Sequence, residues 1–187
     1  MLRMGHTLYS FNGLRLLIPL LLCSLVTGWA NAEDPLEAAA KAAYVVNFAH
    51  FTTWPDDAFA DASTPIDLIV YGGERTRESF KSIDGQKAGE REIRVHLMRP
   101  AETIDHCHLI FFDQDVDYTF LSTVLNSVRG RPVLTIGETP DFIGLGGIVN
   151  IFYKDERLHF NVKPARASRR GLKISSRLLK LADNLDD

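Results

Sequence analysis

The sequence predicts a single α/β domain with a mainly parallel central sheet, helices on both faces and an antiparallel hairpin at one edge. Short, continuous apolar runs alternate along the chain with segments of helical periodicity, and such runs fit strands that are covered on both faces. The last two strand-like runs are separated only by Lys154-Asp155-Glu156-Arg157, which is typical of a hairpin. With 187 residues, 24% charged and 45% hydrophobic, the chain has the composition of an ordinary globular protein.

The first 32 residues are expected to form a secretory signal peptide. They contain no acidic residue, carry Arg3 and Arg15, and pass through an apolar stretch over 16–26 into Ala30-Asn31-Ala32. A basic start, a short apolar centre and an A-x-A ending are the pattern of a cleaved leader. The apolar stretch is far shorter than the ~20 residues of a membrane-spanning helix. We therefore divide the chain into a leader, residues 1–32, and an exported single domain, residues 33–187.

The exported part begins with a helix and continues with alternating strands and helices. Pro35 suits a first helical turn, and the helix over 36–51 ends before Pro55, which disfavours helical backbone at Trp54. A β-branched run over 66–71 predicts a strand that enters a turn at Gly72-Gly73. The further predicted elements are a helix over 76–83, strands over 93–97 and 109–112, a helix over 118–128, a strand over 132–136, and a hairpin over 148–153 and 158–162.

The last predicted element is an amphipathic helix over 164–181. At about 100° per residue, one narrow side of this helix would carry Arg166, Arg170, Lys173, Arg177 and Lys180. A wide apolar arc beside them would pack on the core. The basic side would face outward, either as an ordinary solvated face or as a contact surface for an acidic partner or for anionic lipid headgroups.

No motif in the sequence predicts catalysis, a cofactor site or a metal site. The acids over 113–117 resemble the start of a calcium loop, but Tyr118 and Val124 stand where an EF-hand needs glycine and glutamate. On a strand, His106-Cys107-His108 could not direct three ligands to one ion, because alternate side chains face opposite ways. The glycine pairs match no phosphate-binding loop, and no nucleophile motif is present. We therefore expect a protein that is not an enzyme.

Charge and cysteine content narrow the classes of partner. A formal net charge of −3 argues against nucleic acid as a binding partner. Because Cys23 lies in the leader, Cys107 is the only cysteine of residues 33–187. A lone thiol in an exported domain cannot close an internal disulfide, so Cys107 is either buried and inert or free to pair with another chain.

Several segments between Leu36 and Ala182 together resemble the YfiR family of exported bacterial proteins. These segments are 41–51 with Trp54-Pro55, 107–112, 132–137, 142–148, 158–162 and 171–182. The resemblance implies a periplasmic, non-catalytic homodimer that binds the periplasmic sensor domain of an inner-membrane diguanylate cyclase and represses it. Repression would lower cyclic-di-GMP and biofilm formation. Well-known members carry paired cysteines, and this chain departs from that pattern because Cys107 has no partner after the leader is removed.

The candidate partner-binding residues are aromatic or basic side chains, the kinds that most often anchor interfaces. They are Phe51 and Trp54 at the end of the first helix, Phe142 in the turn before the hairpin, and Arg166, Arg170, Lys173 and Arg177 on the last helix. Core packing is the better expectation for the three aromatic residues. A second function stays open, a periplasmic receptor that binds a small ligand in a crevice at the strand ends and serves a sensor kinase or a transporter.

Overall fold

The computed structural model describes residues 35–99, Glu102 and residues 106–185, and the expected leader over 1–32 lies outside the described residues. The helices are α1 (Pro35–His50), α2 (Glu74–Lys81), α3 (Tyr118–Ser127), α4 (Pro164–Arg169) and α5 (Ser176–Leu179). The strands are β1 (Thr52–Thr53), β2 (Ile66–Tyr71), β3 (Lys87–Ala88), β4 (Arg91–Met98), β5 (Leu109–Phe112), β6 (Leu134–Gly137), β7 (Val149–Lys154), β8 (Arg157–Val162), β9 (Lys173–Ile174) and β10 (Asn184–Leu185).

Eight strands form one sheet in the order β10-β8-β7-β6-β5-β2-β4-β3, while β1 and β9 form a separate antiparallel pair. The five neighbouring strands β7, β6, β5, β2 and β4 are all parallel to one another. The hairpin partner β8 is antiparallel to β7, and β3 is antiparallel to β4. The first parallel strand of the chain is β2 and the second is β4, which lies on the outer side of β2, while β5, β6 and β7 follow on the other side. This is the strand order of a doubly wound sheet. The predicted mainly parallel sheet with a hairpin towards one edge is confirmed.

Helices cover both faces of the sheet, and each face has its own hydrophobic core. Side chains alternate along β5, so Leu109 and Phe111 enter one core while Ile110 and Phe112 enter the other. The larger core is covered by α1 and α2, together with the segment that contains α4 and α5. The smaller core is covered by α3 and by the turn that contains Phe142. Burial on both faces is the reason why this strand is a continuous apolar run.

The predicted helix over 164–181 is wrong. It is interrupted at Gly171, whose φ of +77° lies in the left-handed region that glycine adopts at helix ends. The chain then forms β9, and the backbone N–H of Ser175 donates to the carbonyl oxygen of Phe51 at 2.8 Å. Ser175 also starts α5, because its hydroxyl accepts a hydrogen bond from the backbone N–H of Arg177. The basic residues therefore do not share one helix face, and the predicted basic stripe does not exist.

The other predicted elements are present, with ends that differ by a few residues. The predicted strand over 132–136 is β6, which starts at Leu134, since the N–H of Val133 donates to the carbonyl oxygen of Arg131 and not to a neighbouring strand. The acids before α3 act as a helix start, since the Asp117 side chain accepts a hydrogen bond from the Phe120 N–H at 2.9 Å. The two-residue strands β1, β3, β9 and β10 were not predicted. In the described ranges, no helix combines the length and the apolar composition needed to cross a membrane.

Candidate interaction surface

An apolar groove of about 490 Å³ lies between α1, β8 and the chain around α5. Its residues are Tyr44, Asn47, Phe48, Phe51, Leu158, His159, Phe160, Leu178, Leu181 and Asp183. They come from three segments that are far apart in the sequence. The groove contains Phe51, one of the residues predicted to bind a partner.

The wall that α1 contributes follows from helical spacing. The spacing from Tyr44 to Phe48 is four residues and that from Phe48 to Phe51 is three, which places the three side chains on the same side of α1. Phe51 is the first residue after the helix. The Phe48 ring meets the Phe160 ring edge to face, with centroids 5.0 Å apart. The Tyr44 hydroxyl donates to the carbonyl oxygen of Leu158 at 3.3 Å, which ties the helix to β8. The aromatic wall is therefore held in place before any partner arrives.

The rim of the groove leaves large apolar side chains in water. Among the described residues, the exposed large apolar side chains are Leu36 (77%), Leu181 (68%), Tyr118 (54%) and Tyr153 (54%). Leu181 lines the groove itself. Leu36 and Tyr153 line a neighbouring depression that shares Tyr44, Leu158 and His159 with the groove. A concentration of exposed apolar groups beside a groove is typical of a surface that binds another protein.

One polar pair gives the groove a fixed hydrogen-bonding point. The Nδ1 atom of His159 lies 2.8 Å from Asp183 Oδ1, and because a carboxylate only accepts, Nδ1 carries the proton. The same imidazole ring stacks on Phe152, with centroids 5.7 Å apart. His159 is thus oriented from two sides at the edge of an otherwise apolar surface.

The other two aromatic candidates lie in the core, as expected for side chains of this kind. Trp54 is 7% exposed, and its Nε1–H donates to the carbonyl oxygen of His108 at 3.2 Å. Phe142 is completely buried between Gly137 and Gly147, where a Cβ atom would collide with its ring. Any effect of these two residues on a partner would therefore act through the fold.

The structure separates the four basic candidates into two groups. Arg166 donates to the carbonyl oxygens of Ile143 and Gly147, and Arg170 donates to the carbonyl oxygen of Gly146 at 3.0 Å. Both arginines therefore meet the turn before β7. Lys173 on β9 and Arg177 on α5 are exposed on other elements. The four residues do not form one surface.

The carboxyl ends of β2 and β5, where doubly wound proteins bind ligands, are occupied by an internal side chain. Asp113 is 3% exposed, and its Oδ2 accepts from the backbone N–H of Gly73 at 3.1 Å and from Thr76 Oγ1 at 2.6 Å. The start of α2 is thus satisfied by the protein's own carboxylate. This geometry disfavours a ligand crevice at that position, which the alternative function of a small-ligand receptor would use.

The cysteine predicted to be either inert or available for pairing is buried. Cys107 is 7% exposed, and burial raises the pKa of its thiol to about 11. The tripeptide that contains it, His106-Cys107-His108, precedes β5, so the expected position of these residues on a strand is wrong. In the described part of the chain, no group of three or more His, Cys, Asp and Glu side chains could hold a metal ion.

A polar cluster that the sequence did not reveal lies on the neighbouring strands β2 and β4. Asp67 accepts hydrogen bonds from Arg94 Nε at 2.7 Å and from His96 Nε2 at 2.8 Å. Burial alone would raise the pKa of the Asp67 carboxyl, but these hydrogen bonds outweigh it and lower the pKa below its usual value. Asp67, Arg94 and His96 lie on two paired strands, so the cluster follows from register and not from a motif.

The doubly wound fold and the groove with its aromatic wall define an α/β protein with a surface suited to binding another protein. The family model for YfiR/HmsC-like proteins matches residues 38–183, so the chain belongs to this family. No curated protein matches the chain. At the level of the family, membership supports a periplasmic regulator of diguanylate cyclase from a regulatory, non-catalytic family.

Proposed function

We propose that this protein, exported and freed of residues 1–32, represses an inner-membrane diguanylate cyclase by binding its periplasmic sensor domain. Cyclic-di-GMP and biofilm formation fall as a result. Family membership supports the regulatory role, and the apolar groove that contains Phe51 and Leu181 is the observation that supports the mode of contact. Residues 33–187 act as one domain, and the active protein is a homodimer.

Repression by binding requires a difference in affinity. A regulator that binds the active and inactive states of the sensor domain equally well shifts neither population. We propose that the groove receives an apolar element that the sensor domain exposes in its inactive state. A preformed aromatic wall with an exposed rim suits such an element, because interface energy concentrates in buried aromatic anchors surrounded by polar groups.

The test replaces a groove residue that contributes little to the core. Leu181 is 68% exposed, so Leu181→Asp places a charge in the groove with little cost to folding. Tyr118→Asp is the matched control, because Tyr118 is also mostly exposed but lies at the start of α3, on the opposite face of the sheet. The measurement is cyclic-di-GMP in cells that lack the native protein and express each variant.

We expect Leu181→Asp to raise cyclic-di-GMP towards the level of cells without the protein, while Tyr118→Asp represses normally. Thermal unfolding of both purified variants shows whether each remains folded. A folded Leu181→Asp protein that represses as well as the control would contradict the role of the groove.

A further inference from the structure

A second cavity, of about 430 Å³, concentrates positive charge. It lies between the end of α3, the turn over 144–146 and α4. Its lining residues are Leu125, Asn126, Arg129, Gly130, Gly144, Leu145, Gly146, Arg166, Arg169 and Arg170. Four guanidinium groups therefore border one space, and the described residues of its lining include no Asp or Glu.

Two of these arginines are part of the cavity wall. Arg170 is 7% exposed and donates to the carbonyl oxygens of Val133 at 3.3 Å and Gly146 at 3.0 Å. These bonds use two of the five N–H donors of a guanidinium. Arg166 donates to carbonyl oxygens of the same turn. These backbone carbonyls orient both guanidinium groups at the wall of the cavity.

The other two arginines are at the mouth of the cavity. Arg129 and Arg169 are exposed, and neither side chain forms a hydrogen bond or an ion pair with another residue of the described part. Gly146 also lines the cavity, and its φ of +113° favours glycine. A Cβ atom on Gly146 would meet nothing within 4 Å, so the space beside its backbone is open. A ligand can thus approach the backbone between two free cations.

The positive charges at the wall repel one another. Burial is the main cause that lowers the pKa of Arg170 to about 10, and repulsion from Arg166 and Arg129 lowers it further. The like charges remain close because the turn and α4 fix them. An anion between them would remove this repulsion, and such ion pairs are strongest in sites that exclude water.

We propose that this cavity binds the phosphate group of a small phosphate-bearing ligand. A phosphate monoester offers three acceptor oxygens and two negative charges at one centre, so it can bond to several guanidinium groups at once, and arginine forks match its geometry. Leu125 and Leu145 provide an apolar wall for the organic part, and the volume lies in the range of small-molecule sites. The phosphate belongs either to a soluble molecule or to a lipid headgroup.

The experiment uses the protein purified from cells that express and process the full chain, with phenyl phosphate as the soluble probe. Binding is measured by calorimetry at low ionic strength, and by the rise in melting temperature that a ligand of the native state produces. The site variant is Arg129→Gln with Arg169→Gln, because neither side chain supports the wall. The control is Lys173→Gln with Arg177→Gln, which removes the same charge from exposed positions outside the cavity.

The native protein and the control are expected to bind phenyl phosphate with equal affinity, and the site variant about tenfold or more weakly. Sedimentation with vesicles of phosphatidylcholine and phosphatidylglycerol tests the lipid source. Vesicle binding that depends on Arg129 and Arg169, without binding of phenyl phosphate, assigns the phosphate to a lipid. Binding of neither probe, or an equal loss in both double variants, would overturn the proposal. No cyclase is involved, so failure here is distinct from failure of the proposed function.

Discussion

The protonation of His108 follows from its two hydrogen bonds. The backbone N–H of Asp67 donates to His108 Nδ1 at 3.0 Å, so Nδ1 carries no proton. Nε2 therefore carries the proton and donates to the carbonyl oxygen of Ala58 at 3.0 Å. The Asp67 carboxylate is 3.7 Å from Nδ1, but a neutral ring cannot form an ion pair with it. The folded protein thus holds His108 in its neutral form.

This neutral histidine predicts a loss of stability in mild acid. Burial is the main cause that lowers the pKa of His108 below its usual 6.5, so the unfolded chain binds more protons than the folded protein below that pH. The free energy of unfolding should therefore fall as the pH drops from 6.5 towards the pKa of the folded state. The lowered pKa of Asp67 adds a further loss at more acidic pH, below 3.8.

Urea unfolding at about pH 7.5 and about pH 5.5 measures this effect. His108→Gln is the comparison, since glutamine does not titrate. The native protein should lose more stability between the two pH values than His108→Gln does. Equal losses would show that other groups cause the acid sensitivity.

The buried thiol predicts low reactivity in the native state. A thiolate is the reactive form of cysteine, and with a pKa of about 11 the Cys107 thiol is almost entirely protonated at neutral pH. Burial also blocks access to reagents. We expect Ellman's reagent to modify Cys107 rapidly only after unfolding, and Cys107→Ser to repress the cyclase normally. Rapid modification of the folded protein, or loss of repression, would contradict a passive role.

Trp54 predicts a large effect on stability. Its ring is buried in the larger core and packs against Phe59 edge to face, and its Nε1–H donates to the carbonyl oxygen of His108. Replacement by alanine leaves a cavity and an unpaired carbonyl, so Trp54→Ala should cost about 3–5 kcal/mol. The measurement is urea unfolding. A loss below about 1 kcal/mol would show that the indole is not part of the core.

At the scale of elements, the break at Gly171 determines where the basic residues lie. Its φ of +77° strains any other L-residue, but a Cβ atom there would meet only Pro55 at ordinary contact distance. The cost of Gly171→Ala is therefore backbone strain alone, about 1–2 kcal/mol. Gly171→Asn should cost less, because asparagine tolerates left-handed backbone. If the native protein and Gly171→Ala were equally stable in urea unfolding, the left-handed backbone at residue 171 would be contradicted.

Strong local patterns explain which elements the sequence could predict. The β-branched run of β2, the continuous apolar run of β5 and the helical periodicity of α3 are local properties, and these elements are where they were expected. The helix over 164–181 is wrongly predicted because the helical periodicity of the sequence continues through Gly171 and Ser175, although both residue types favour helix ends. The strand β9 exists through pairing with β1, which no local pattern reveals.

The candidate surfaces were only partly predictable for the same reason. Phe51, which lines the groove, could be proposed as a partner-binding candidate from its type and its place after a helix. Leu181 and Tyr153 could not, because the groove and the neighbouring depression exist only when α1, β8 and the end of the chain meet. Arg166 and Arg170 were identified, but on a helix face that does not exist. Arg129 joins them through the contact of α3 with the turn before β7.

At the scale of the whole molecule, a buried ion pair fixes α1 and hence the groove. Lys41 is 3% exposed, and its Nζ lies 2.9 Å from Glu37 and 2.6 Å from Glu138, which follows β6. Lys41→Met removes the cation that lies 2.6 Å from the buried Glu138 carboxylate, so it should cost about 3–5 kcal/mol.

The double variant Lys41→Met with Glu138→Gln removes both charges, and it should be more stable than Lys41→Met alone. Urea unfolding of the double variant and of each single variant measures the difference. A double variant that loses the sum of both single costs would show that the two side chains do not stabilise each other.

The most direct test of the central claim is retention of a cyclase by this protein. The full chain, tagged at its carboxyl end, is isolated with detergent-solubilised membranes of its host, and the retained proteins are identified by mass spectrometry. We predict a membrane protein with a periplasmic sensor domain and a cytoplasmic diguanylate cyclase domain, retained by the native protein and by Tyr118→Asp but lost with Leu181→Asp. Retention of no cyclase, or equal retention by Leu181→Asp, would contradict the account.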